Sequence, residues 1–281
     1  MTHPCSRRTL LKFAAMIFPS RILNLPGRFT ERQTTDTTSA ARTIADIFPV
    51  QPPELVREMV TVSHFDLKRV RELVDRRPSL ARAAWDWGFG DWETALGAAC
   101  HMGNRPIAEC LLSKGARPSI FSAAMLGQLE VVKAFVAAQP GVQRTRGPHS
   151  ISLLAHAKAG GEFARPVFDF LQSLGDAGAD TESPLSEAER SQILGAYIFG
   201  LGPTQQIDVT MEHNPFLQTD QLTWTRKGTM GRPLYHLGNL TFYPAGASSV
   251  RIQFAAGNGA TLMTVNDPDL VLTVRRKPST S

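Results

Sequence analysis

Seven histidines, His3, His64, His101, His149, His156, His213 and His236, hold most of the chain's latent chemistry. An imidazole changes charge near neutral pH and is the commonest metal ligand. To act as a metal site at least three donors must converge, and no motif in the sequence guarantees that. The chain has no His-Glu-x-x-His, no Gly-x-Ser-x-Gly elbow, no Ser-x-x-Lys and no phosphate-cradling Gly-x-x-x-x-Gly-Lys-Ser/Thr. Cys5 lies near the start, and Cys100 and Cys110 occupy small or apolar positions of a helical pattern, as buried thiols do. No Cys-x-x-Cys pair exists. One combination offers a site: His101 and His156 brought near each other by stacked helices, with Asp86 or Asp91 as the carboxylate. The plainer expectation is that these histidines sit at helix ends and bond free carbonyls. On that expectation no metal, no cofactor and no catalytic residue is assigned.

The second unusual feature is compositional. "WDWGFGDWET", residues 85–94, contains three tryptophans, a phenylalanine and three acids. Gly88 and Gly90 let it turn. Tryptophan is enriched at interface hot spots, so the stretch reads as an aromatic finger presented to another protein. Its contacts would be Trp85, Trp87, Phe89, Asp91 and Trp92, with His101 and Arg105 near the same face. The competing expectation is that the indoles fold back as cover for a small core.

The elements that must position these residues are visible as a repeat. "HFDLKRVRELVDRRP" from His64 matches "LGQLEVVKAFVAAQP" from Leu126 at a constant offset, aligning Leu67, Val70, Leu73, Val74 and Pro78 with Leu129, Val132, Phe135, Val136 and Pro140. The apolar spacing describes one face of a helix. Between them, "TALGAACHMGNRPIAECLLSKGARP" reads as a helix pair: Thr94 opens the first helix, Gly103 ends it, and Ile107, Leu111 and Leu112 face the second helix back. This resembles the ankyrin repeat, with Ala95 where that family has proline and Gly97 where it has histidine. The resemblance implies about four units over 50–180, an ankyrin-type α-helical solenoid, and a finger placed where such proteins carry their recognition loops.

After "TESPLSEAERSQILGAYIFG" the period changes. Ser186 and Glu189 form a capping box, so a short helix starts there. From Gln206 the segments alternate: in "SVRIQFAA", Val250, Ile252 and Phe254 point one way and Arg251 and Gln253 the other. Six or seven strands are expected, forming a small antiparallel β-sheet or barrel, with "GNG" at 257–259 as a hairpin turn. The segment 184–278 resembles the lipocalin-like accessory domain of serine β-lactamase-like hydrolases. The expected fold class is therefore α + β in two domains, preceded by a linker and signal over 1–41.

Composition bounds the rest. The net charge of +5 is accounted for by Arg7, Arg8, Lys12, Arg21, Arg28 and Arg32 against Glu31 near the start. The remaining chain is close to neutral, which argues against a nucleic-acid partner. No run of 18 apolar residues occurs, so no transmembrane span is expected. "SRRTLLKFAAMIFPS" resembles a twin-arginine export signal through Arg7 and Arg8, implying an exported protein of the bacterial periplasm or cell envelope. The functional expectation is a non-catalytic scaffold for an unidentified protein partner. Two alternatives stand beside it. One is a small-ligand site inside the β-domain, lined by Phe216, Trp224, Phe242 and Phe254. The other is an enzyme built between the domains from the histidines and finger acids.

Overall fold

A computed structural model describes residues 48–178, 183–202, 204–214, 219–257, 260–268 and 270–278. Ile47–Ser281 forms one compact unit. Among the described residues eight α-helices come first: α1 (Pro53–Val62), α2 (Leu67–Arg76), α3 (Ala95–His101), α4 (Arg105–Ser113), α5 (Ile120–Met125), α6 (Leu129–Ala138), α7 (Leu153–Ala159) and α8 (Arg165–Ser173). A hairpin of β1 (Ala84–Asp86) and β2 (Trp92–Thr94) interrupts them between α2 and α3. The offset repeat holds in the backbone, since α2 and α6 start and stop at matching positions. Their caps differ: Asp66 accepts from Arg69 N ahead of α2, whereas Gln128 makes no side-chain cap.

The C-terminal half starts with α9 (Glu187–Ile193), capped by the expected Ser186–Glu189 box. Its strands are β3 (Gly195–Ile198), β4 (Gln206–Asn214), β5 (Thr219–Arg226), β6 (Arg232–Gly238), β7 (Thr241–Pro244), β8 (Arg251–Gly257), β9 (Ala260–Asp267) and β10 (Leu270–Arg276). They close as one antiparallel barrel in the order β10-β3-β4-β5-β6-β7-β8-β9. Val250, Ile252 and Phe254 are buried as the alternation predicts, and Gly257 pairs with Ala260 across the expected hairpin.

The expected fold class is corrected in both halves. The C-terminal part is a closed barrel of eight strands, not a small sheet. Two strands escaped the sequence reading: β3 lies next to a helix, and β6 contains Pro233, a residue that argues against a central strand. The ankyrin-type solenoid is not what the helices show. A stacked array buries one continuous core, whereas the buried residues here fall into two clusters. One contains Met59, Val74, Leu96 and Leu111, the other Ile120, Val132, Leu153 and Leu171. A third cluster, with Tyr197, Phe242, Ile252 and Met263, lies in the barrel. Trp224, Phe242 and Phe254 belong to that cluster, and Phe216 lies outside the described residues.

Candidate metal centre

The finger is built to aim one acid inward. Its hairpin pairs Ala84 with Thr94, Trp85 with Glu93 and Asp86 with Trp92. The turn is made by Gly88, Phe89 and Gly90, all with positive φ. Side chains alternate along β2, so Trp92 is 64% exposed while Glu93 is 0% exposed. Thr94 then accepts from Gly97 N at 2.9 Å and caps α3. Glu93 is thus fixed at the mouth of α3, and His101 at the end of that helix turns back to it.

Four side chains from separate parts of the chain meet there. His101 Nε2 lies 2.8 Å from Glu93 Oε1, His149 Nε2 3.5 Å from the same oxygen, and His64 Nε2 3.5 Å from Glu93 Oε2. The donor atoms of His64, Glu93, His101 and His149 all lie within 4.8 Å of one another. Donors around a tetrahedral zinc-class ion at about 2.0–2.1 Å stand about 3.4 Å apart. Side-chain shifts of about 1 Å would bring these donors to that spacing.

The surrounding bonds orient the ligands. His64 Nδ1 is 3.1 Å from Val60 O and 3.0 Å from Thr61 O, the carbonyls at the end of α1. Because a carbonyl only accepts, Nδ1 carries the proton, and in the neutral ring Nε2 offers its lone pair to the cluster. His149 Nδ1 lies 2.8 Å from Asp91 Oδ2, a carboxylate–histidine pair of the kind that supports metal ligands. Trp87 Nε1 donates to Glu93 Oε2 at 2.8 Å. Asp91 is itself clamped: Oδ1 accepts from His149 N at 2.9 Å, and Oδ2 from Arg232 Nη1 of the barrel at 3.1 Å. Arg232 also donates to Trp87 O, Gly88 O and Ala245 O. His149 and Ser150 both have positive φ although neither is glycine. Such backbone persists where surrounding bonds over-determine it, and Gly246 N donating to Ser150 Oγ at 2.8 Å is one of those bonds.

Charge follows the geometry. Burial opposes ionisation of Glu93, yet hydrogen bonds with His101 and His149 outweigh it and hold its carboxyl well below the usual carboxylate range. His149 meets the same burial, but its bonds to Asp91 and Glu93 raise it to about 9. Burial lowers His64, against the pull of Glu93. His156 is fully buried and is lowered to about 4 by that burial. Its ring stands edge-on to His101 at 6.4 Å, and its Nδ1 bonds Ser152 O at 2.9 Å.

The sequence expectations distribute unevenly over this picture. The helix-end expectation describes one nitrogen of His64, whereas His156 lies within α7 and its Nδ1 meets Ser152 O, a carbonyl at the helix start that also accepts from His156 N. It did not show where the other nitrogen of His64 points. His101 and Asp91 are in or beside the cluster, whereas Asp86 caps Gly88 N at 2.8 Å and stays outside it. Glu93 and His149 were missed as partners. The available signal was the two-residue alternation of β2, which turns Glu93 inward opposite Trp92. Of the expected partner contacts, Trp85 and Trp87 pack against the first helical core and Phe89 against the barrel core. Arg105 bonds Glu109 and Leu126 O and lies over the Phe163 ring at 4.8 Å. Cys100 is buried and Cys110 half-buried, both free thiols. Arg7 and Arg8 lie outside the described residues.

Set against known proteins, the chain matches no family model, and no curated sequence is similar to it.

Proposed function

We propose that this protein binds one divalent transition-metal ion, of the zinc class, through His64, Glu93, His101 and His149. One observation carries the reading: three imidazoles converge on a single fully buried carboxylate. A buried carboxylate needs one counter-charge, and protonated His149 supplies it. Two further imidazoles aimed at the same point exceed that need but match a three-nitrogen, one-oxygen donor set. Imidazole-rich sets suit zinc, copper, iron and nickel more than magnesium or calcium. Four protein donors make a holding site, which ties α1, the finger, α3 and the His149 turn into one clamp.

The test uses the full chain, stripped with a chelator and titrated with zinc and with cobalt(II). The expected result is one ion per chain, the strong visible bands of tetrahedral cobalt, and a higher melting temperature when loaded. Glu93→Gln and His101→Ala should each weaken binding about a hundredfold or more while keeping the far-ultraviolet spectrum. Failure of zinc, cobalt, nickel, copper and iron(II) alike to bind stoichiometrically would sink the reading.

A second reading rests on Trp92, which is 64% exposed at the finger's edge. Such an indole supports the expected role as a contact for a protein partner. Trp92→Ala should leave stability within about 0.5 kcal/mol and abolish capture of a specific envelope protein. Unchanged capture removes the role. Export belongs to the same proposal and is tested by fractionating cells that carry Arg7→Lys with Arg8→Lys.

A further inference from the structure

A groove of about 400 Å³ runs between the finger and the β5–β6 turn, within the range of small-molecule pockets, roughly 300–1,000 Å³. It is lined by Trp85, Trp87 and Phe89 of the finger and by Trp224 and Met230 of the barrel. These rings are held from behind. Trp85 and Trp87 rest on the helical core, and Phe89 packs on Trp224 with ring centroids 5.8 Å apart. Met230, 61% exposed, is a flexible apolar cover. The groove is thus lined by aromatic rings that are themselves held by packing.

Its polar groups are few and of one kind. Trp224 is 8% exposed, and its Nε1 is buried, so the indole meets the groove through its ring. Arg57 of α1 and Arg226 of β5 also line the groove. Arg57 makes no ion pair among the described residues, and Arg226 bonds only a carbonyl, Thr204 O, while lying over Phe199. Arg232 is already spent on Asp91 and three carbonyls. The single acid in the lining, Asp86, is turned to Gly88 N. The groove therefore offers an aromatic lining and surplus positive charge.

We infer that this groove binds a small planar aromatic anion, with its ring against the aromatic lining and Met230 and its charge facing Arg57 and Arg226. A cation would meet two arginines there, and an uncharged hydrocarbon would leave both of them unanswered. The inference does not depend on the metal.

The test exploits the chain's four tryptophans, which give one indole N–H signal each in a nitrogen-labelled sample. The probe is 2-naphthoate, compared with 2-naphthamide, which keeps the ring but not the charge. The metal-stripped and metal-loaded full chain are both titrated. The expected result is a saturable shift in the signals of the lining tryptophans. Binding should be at least about tenfold weaker for the amide and for Arg57→Gln, an exposed site where folding is not at stake. Absence of a saturable shift up to about 1 mM overturns the inference. So does equal naphthoate affinity in the parent chain and Arg57→Gln. Loss of metal binding without loss of naphthoate binding would sink the metal reading alone.

Discussion

In the helical half two buried carboxylates, Asp91 and Glu93, sit on one hairpin beside the loop that carries His149 and Ser150, while the barrel encloses Tyr197, Ile207, Phe242, Ile252 and Met263 and buries no carboxylate among the described residues. The barrel's interior lowers its free energy through apolar area, at roughly 25 cal/mol per Å² removed from water. The cluster instead places two carboxylates out of water and must answer them with partners. Only part of that answer is needed for folding: Arg232 serves Asp91 and His149 serves Glu93, which leaves His64 and His101 over. The difference shows where the chain carries groups that packing alone does not call for.

That contrast can be broken or sharpened by substitution. Phe242 is fully buried, stacked on His236 at 4.8 Å and edge-on to Phe254 at 5.6 Å. Phe242→Ala should cost about 4 kcal/mol, by the same amount with and without metal, as read from denaturant melts. A metal-dependent loss would mean the two regions are not distinct. Arg232→Met should cost about 3 kcal/mol, because it leaves a buried carboxylate short of a cation. Unlike the barrel variant it should also weaken metal binding, since Asp91 holds His149. The smallest effect is a proton. His149 is raised to about 9, so it is charged in the metal-free chain at neutral pH, and a ligating imidazole must be neutral. Metal uptake at pH 7 should therefore release about one proton. Affinity should climb with pH up to about 9 and then level off. Calorimetry in buffers of different ionisation enthalpy measures the proton, and His149→Gln should remove it.

Much of the local structure was legible in the chain. The capping box at Ser186, the N-cap at Thr94, the α2–α6 repeat and the alternation at Val250, Ile252 and Phe254 are short-range signals, and each is present. What local pattern does not encode is closure and convergence. Whether strands end as an open sheet or a barrel depends on β10 reaching β3, a long-range pairing of Arg275 with Ile198 and Arg276 with Tyr197. The cluster is similarly hidden, because His64 and His149 reach Glu93 from distant parts of the chain. The finger was recognisable as special, but its aromatic residues drew the attention and its acids carry the geometry.

Gly246 sits in the barrel turn after β7 with positive φ, and a Cβ built there would run into the Asp91 carboxylate. The barrel therefore ends, at this point, in a notch the width of a missing methyl group. Exchange of the barrel for another, however well folded, would succeed only if the newcomer kept that notch. The two halves are in this sense not interchangeable modules: a loop of one sets which ancestors and which chimaeras the other can tolerate.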